Sequence, residues 1–377
     1  MKGMYDIRPA PSNGLYRIED LLVGYDPDHP RTIVKTASFR QYQAYYPLTL
    51  PGASDLKGLQ KAVRHDAAIT AGLLAFIRLS KRRPVGVMGG HSVERSDPAY
   101  VDVARLAREI TLRGYLVVTG GGPGIMEAGH FGAHFAYASD HQFDDAVDAM
   151  KASSPSRMPP LPDDKEMLND DGSLSEAVTD KFLGDLNAWF LAAAKVKKSL
   201  KGKKGPSLAI PTWAFGHELS QPFATRYAAF FLESLRETAL VRESRAGIVY
   251  GQGGGGTMRE VFQDVERNYY AKKPSDFTPM IFFDRGGYWT KDASFGQPPV
   301  RGIKLDVSVP KILEFGLRSG GLKQEEVATC LEKVKFTIDH AEISGVLLDH
   351  SGVAGRNLDF ALAAQPMKVA TARMNRA

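Results

Sequence analysis

Two glycine runs, each set between a short apolar stretch and the start of a helical pattern, restrict this chain more than any other feature. Gly247-Ile248-Val249-Tyr250 reads as a buried strand, Gly251-Gln252-Gly253-Gly254-Gly255-Gly256 as a turn almost without side chains, and Val261-Phe262-Gln263-Asp264-Val265 as helix. Upstream, Tyr115-Leu116-Val117-Val118 leads into Thr119-Gly120-Gly121-Gly122-Pro123-Gly124 and then a helix through Ile125, Met126, Ala128 and Phe131. A strand, a bare turn and a helix N-terminus gather backbone N–H groups around one point. Such a point attracts phosphate, because the N–H groups and the helix dipole both present positive charge. Glu260 falls on the first turn of the second helix, within reach of whatever the glycines hold.

The same rhythm surrounds both runs. Val85-Gly86-Val87-Met88 precedes the turn Gly89-Gly90-His91-Ser92 and a helical pattern from Tyr100 to Leu112. Further on, Ser207 to Thr212 and Met280-Ile281-Phe282-Phe283 read as strands, a helix is expected from about Pro222 to Leu240, and Arg285-Gly286-Gly287-Tyr288-Trp289 as a turn at the same sheet edge. Repeated strand and helix units imply parallel strands with crossover helices: an α/β class, a Rossmann-like parallel sheet flanked by helices. Ligands of such sheets lie beyond the carboxyl ends of the strands, where the glycine turns fall. This domain is expected over residues 81–345.

Three regions stand outside the rhythm. Residues 1–80 read as a mostly helical N-terminal extension, with a helix from Leu56 to Leu79 offering Leu59, Val63, Ala67, Leu73, Leu74 and Ile77 for a buried face, in a packing or oligomer role. Residues 138–206 form an insertion too long for an ordinary connection, with four prolines from Pro155 to Pro162, a short helix from Asp185 to Val196 and a lysine cluster from Lys195 to Lys204. The lysines read as a solvated face. Beyond Asp284 peripheral helices and one more strand are expected, ending in a helical segment over 346–377.

Composition narrows the function classes. A net charge of +5 over 377 residues suits an anionic small molecule without demanding nucleic acid, and the lysine cluster lacks interleaved aromatic residues. Cys330 is the single cysteine, so an intrachain disulfide and a thiolate zinc site are both excluded. No apolar run has the length to cross a bilayer, and the N-terminus carries no apolar signal core, so a cytoplasmic protein is expected. His91, His130, His134 and His141 show no zinc spacing, although His130 and His134 share a helix face. The glycine spacing differs from a dinucleotide fingerprint, and no Gly-Lys-Ser or Gly-Lys-Thr supplies a triphosphate clamp.

Taken together, Thr119-Gly120-Gly121-Gly122-Pro123-Gly124-Ile125-Met126-Glu127-Ala128 and Gly253-Gly254-Gly255-Gly256-Thr257-Met258-Arg259-Glu260 resemble the paired signature of the LOG family, the cytokinin-activating phosphoribohydrolases and related bacterial nucleotide nucleosidases. The resemblance covers about residues 84–137 and 207–300. The family's second motif begins with proline, where this chain has Gln252. The resemblance implies a catalytic glutamate at Glu260 and a catalytic arginine at Arg236, with Arg242 and Arg245 as local alternatives. It implies substrate contacts at Gly120, Gly121, Gly122, Pro123, Gly124 and Glu127, at Gly253, Gly254, Gly255, Gly256 and Thr257, and at Gly90. The family's first turn commonly carries an arginine that Gly89-Gly90-His91-Ser92 lacks, with Arg95 as a possible replacement. His217, next to Trp213 and Phe215, is a candidate for the base pocket, with the aromatic groups stacking on the base.

The implied activity is hydrolysis of the N-glycosidic bond of nucleoside 5′-monophosphates to free base and ribose 5-phosphate. It requires no metal and no organic cofactor. Relatives are at least dimers, so a homodimer or higher homo-oligomer is expected. The alternative is a non-catalytic nucleotide-binding or sensor protein of the same fold, with Glu260 complementing the helix dipole.

Overall fold

The computed structural model describes residues 7–12, 14–49, 55–160, 167–169, 173–291 and 304–354. Within them lie seven strands: β1 (Arg83–Met88), β2 (Tyr115–Thr119), β3 (Ser207–Ala209), β4 (Arg226–Tyr227), β5 (Gly247–Tyr250), β6 (Met280–Phe283) and β7 (Val334–Thr337). They form one sheet in the order β4-β3-β2-β1-β5-β6-β7, and every pairing is parallel. The chain thus winds outward from β1 in one direction through β4, then returns to the other side of β1 at β5. This reversal opens a crevice above the carboxyl ends of β1 and β5.

Side chains on β1, β2, β5 and β6 alternate between two cores, as the two-residue strand period demands. Leu116, Val118, Ile248, Tyr250, Met280 and Phe282 join one apolar cluster, while Val85, Val87, Val117, Val249, Ile281 and Phe283 join the other. The second face is covered by α4 (Pro98–Leu112), α5 (Ile125–His134), α6 (Asp140–Lys151), part of α7 (Asp180–Ser199) and α12 (His340–Ala354). The first face is covered by α8 (Glu233–Glu243), α9 (Gly255–Tyr269), α10 (Leu305–Ser319) and α11 (Gln324–Leu331), and by the N-terminal α1 (Ile18–Leu21) and α3 (Leu56–Ser80). The fold is the Rossmann-like α/β class that the alternation implies. Among the described residues no helix is long and apolar enough to cross a membrane.

The N-terminal region and the 138–206 insertion are joined to each other. Phe39 and Tyr42 of α2 (Ala37–Thr49) share a third apolar cluster with Phe182, Leu186 and Trp189 of α7. Tyr25 Oη donates to Asn187 Oδ1 at 2.6 Å, and Asn187 Nδ2 donates to the Pro27 carbonyl at 2.9 Å. The N-terminal chain also covers the β4 edge, where Tyr16 and Tyr227 exchange backbone hydrogen bonds of 3.0 and 2.9 Å. That pairing removes an open sheet edge.

Several element boundaries differ from expectation for identifiable reasons. On α3 only Leu73 of the six residues expected on a buried face is buried; the buried stripe is Ala62, His65, Asp66, Ile69 and Leu73, and two of its members are polar. Hydrophobic periodicity cannot find such a stripe. The helix expected from Pro222 begins only at Glu233, and Arg226–Tyr227 is a strand instead. From Tyr227 to Phe231 every residue is buried, leaving no solvent face for a helix, and Ala228 donates to the Ala209 carbonyl at 2.8 Å. In the insertion, α7 starts at Asp180 rather than Asp185 because Thr179 caps it, accepting from the Phe182 amide at 3.1 Å. β7 supplies the additional strand, while residues 355–377 of the expected C-terminal segment lie outside the described residues.

Candidate active site

Three turns meet above the crevice. Gly90 N donates to the Gln252 carbonyl at 2.8 Å, Ile125 N to the Gly90 carbonyl at 3.1 Å, and Gly251 N to the Met88 carbonyl at 2.8 Å. These bonds bind the turns after β1, β2 and β5 into one backbone surface. The turn after β6 adds to it: Trp289 Nε1 donates to the Tyr250 carbonyl at 3.1 Å, and Tyr288 Oη donates to the Gly253 carbonyl.

After β5, Gly254 caps α9 without any side-chain hydrogen bond, and Gly254, Gly255 and Gly256 are exposed. Their N–H groups belong to the set a helix leaves without internal partners, at its positive end. One turn further on, Glu260 is buried. Its Oε1 lies 3.7 Å from Arg236 Nη2. Arg236 also donates from Nε to the Ile210 carbonyl at 3.2 Å and lies 3.9 Å from Glu233. Its guanidinium sits over Gly120, where a Cβ would come within 2.6 Å of Nη2. Arg236 therefore connects the first glycine turn to the carboxylate that follows the second. Arg242 and Arg245 both engage Glu243 instead, at 2.9 and 3.2 Å.

Burial pushes the Glu260 carboxyl up to about 7; Arg236 opposes this, while Glu237 and Glu233 add to it. Glu237 is also raised by burial, against the pull of Arg259 at 2.8 Å. A carboxyl poised near neutrality can serve as a general base at physiological pH.

The first glycine turn is packed differently. Gly121 and Gly124 have φ of +83° and +67°. A Cβ at Gly124 would stand 2.4 Å from the Gly90 carbonyl oxygen. Pro123 is buried and Gly122 half-buried in the same turn. Glu127, a candidate ribose contact, is fully buried, and Arg95 engages both its oxygens at 2.7 and 2.9 Å. Tyr100 Oη adds a third bond at 3.3 Å. Arg95 in turn donates to the Trp189 carbonyl at 2.9 Å and stacks over the Trp189 ring at 4.5 Å. The pair thus ties α5 to α7 of the insertion, and Arg95 is committed to Glu127 rather than to the turn after β1.

His217 lines a cavity of about 220 Å³ beside His91 and Ser92 of the turn after β1. Trp213, expected to stack on a base, instead lies in the core against Tyr16 at 5.4 Å, and Phe215 is exposed. His130 is a structural histidine: its Nε2 lies 2.8 Å from Thr119 Oγ1, and burial lowers it to about 3. Among the described residues no cluster of three or more His, Cys, Asp or Glu is arranged to hold a metal ion.

Sequence patterns missed Asp66. This fully buried carboxylate of α3 accepts from the amides of Phe231 and Leu232 at 3.0 and 2.8 Å, capping α8, the helix that carries Arg236. His65 holds it, with Nδ1 2.9 Å from Asp66 and Nε2 2.9 Å from Tyr16 Oη. Leu232 at the helix N-cap cannot accept with its own side chain, and that absence of a local cap was the one available signal. In comparisons with known proteins, the chain matches no family model and no curated protein.

Proposed function

We propose that the protein hydrolyses the N-glycosidic bond of nucleoside 5′-monophosphates, releasing the free base and ribose 5-phosphate. The observation that carries this proposal is the placement of a buried, near-neutral Glu260 one turn beyond an exposed glycine helix start, with Arg236 at 3.7 Å. The 5′-phosphate would accept from the amides at Gly254–Gly256, whose lack of side chains leaves room for it. As the C1′–N bond breaks, its electron pair leaves with the base and positive charge develops on the ribose ring. Ionised Glu260 stabilises that charge and takes a proton from the water that adds to C1′; the proton ends on the departing base. Arg236 orients Glu260 and lowers its proton affinity. The phosphate contributes by positioning, so nucleosides react far less well. We extend the proposal to a homo-oligomer, supported by the exposed apolar residues Leu56, Leu59 and Val63 along α3.

The test is base release from AMP, GMP, CMP, UMP and IMP, each beside its nucleoside. Release from a monophosphate alone, rising with pH through about 7 as Glu260 ionises and lost in Glu260→Gln, is the expected result. Binding of a monophosphate without cleavage by folded protein would replace this proposal with a nucleotide sensor.

A further inference from the structure

The 138–206 insertion has no counterpart in the strand and helix rhythm, yet it forms one wall of the cavity that holds His217. Met158, Pro159, Phe182 and Leu186 supply the apolar part of that wall, and Arg157 adds a cation to it. The opposite side is a single turn beyond β3 that presents His217 and Glu218. His217 is backed by the Tyr42 ring of α2, with centroids 4.7 Å apart. His91 and Ser92, from the turn after β1, complete the lining. His91 is also in contact with the first glycine turn, since its carbonyl oxygen would lie 3.0 Å from a Cβ on Gly124. The cavity and the crevice therefore share the turn after β1, which lines the cavity with His91 and Ser92 and is bonded through Gly90 to Gln252 and Ile125 of the two glycine turns.

We propose that this cavity is the base-recognition subsite, that it takes a purine ring against the insertion's apolar wall, and that Glu218 reads the polar edge of that ring. This rests on the nucleotide reading of the crevice. The volume of about 220 Å³ fits a bicyclic heterocycle but not a whole nucleotide, which places ribose and phosphate outside, toward the glycine turns. Small-molecule sites of this kind combine apolar walls with a few convergent polar groups that set orientation. Burial pushes the Glu218 carboxyl up to about 8 and the His217 ring down to about 4, which favours the uncharged form of each at pH 7. A neutral carboxyl offers one donor and one acceptor side by side, the complement of a purine edge that presents a ring nitrogen and an exocyclic group. The insertion and the N-terminal extension thereby acquire a shared role: held together by Tyr25 and Asn187, they build the selective half of the site around a general phosphate turn.

Calorimetric titration of the full chain at pH 7 with adenine, hypoxanthine, cytosine and uracil, and separately with ribose 5-phosphate, tests the assignment. Purines should bind the wild type at least 10-fold more tightly than pyrimidines. Met158→Trp, which fills the cavity, should weaken purine binding 10-fold or more and leave ribose 5-phosphate binding unchanged. Glu218→Ala should weaken purine binding about 10-fold, and Glu218→Gln, which keeps a donor beside an acceptor, should restore most of it. Purine binding that survives both Met158→Trp and Glu218→Ala, or failure of any purine to bind the wild type, would overturn the proposal. Purine binding that responds to both variants while ribose 5-phosphate fails to bind would retain the subsite and remove the phosphate-turn reading instead.

Discussion

A Cβ added at Gly120, Gly122 or Gly124, in the turn after β2, would come within 2.4 to 2.7 Å of another atom of the protein, whereas at Gly254, Gly255 or Gly256, after β5, it would meet nothing within 4 Å. The first turn is glycine because the protein fills the space around it. The second is packed at its start, where a Cβ on Gly253 would stand 2.7 Å from Gly90 N, and is glycine at Gly254–Gly256 although the protein leaves that space open. Their glutamates follow the same division. Glu127 is neutralised by Arg95 in a pair with almost no exposure, while Glu260 has only Arg236, at 3.7 Å, and is raised to about 7. Similar motifs thus lock a buried ion pair at the end of β2 and leave an open helix start beside a loosely paired carboxylate at the end of β5.

The largest expected effect falls on the structural side. Glu127→Gln leaves the Arg95 guanidinium buried without its counter-charge, a loss of about 3–5 kcal/mol measurable by urea denaturation. A cost below about 1 kcal/mol would show that the pair is not the lock between α5 and α7.

Glu260→Gln should have the opposite sign. A carboxyl raised from 4.5 to about 7 favours folding most below pH 4.5 and loses that contribution as pH rises through 7. The variant should therefore match the wild type near pH 4 and exceed it by on the order of 3 kcal/mol at pH 8, while losing base release. Thermal melts at the two pH values separate this from a uniform effect.

Gly124→Ala imposes a side chain on a positive φ and on a carbonyl 2.4 Å away, and should cost about 3 kcal/mol. Gly255→Ala should change stability by less than about 1 kcal/mol, since its site is open and helical. Its effect should appear in weaker ribose 5-phosphate binding, read by calorimetry. Equal stability losses in the two variants would erase the distinction between the turns.

Much of this was legible from residue order. Period-two apolar runs, bare turns and helix starts are local, and each was visible within about ten residues. Arg236, Arg242 and Arg245 were equally visible as arginines. Helix phase separates the first two, because six residues rotate a side chain by about 240°; α8 ends before Arg245, and both later arginines turn to Glu243. Glu127, expected from the resemblance to meet substrate, lies on the first turn of α5 and is spent on Arg95, a pairing that nothing nearby in the chain encodes.

The sequence by itself determined the five central strands and the two glycine turns, because backbone sterics and apolar periodicity act between close neighbours in the chain; Glu260, expected on the first turn of its helix, stands on the second turn of α9 because the helix already starts at Gly255. The tertiary structure alone decided which charges are paired. Arg95 finds Glu127 32 residues away and the Trp189 carbonyl 94 away, and Asp66 caps a helix 165 residues downstream. A buried carboxylate's properties depend on which groups share its low-dielectric surroundings, and no periodic pattern records that.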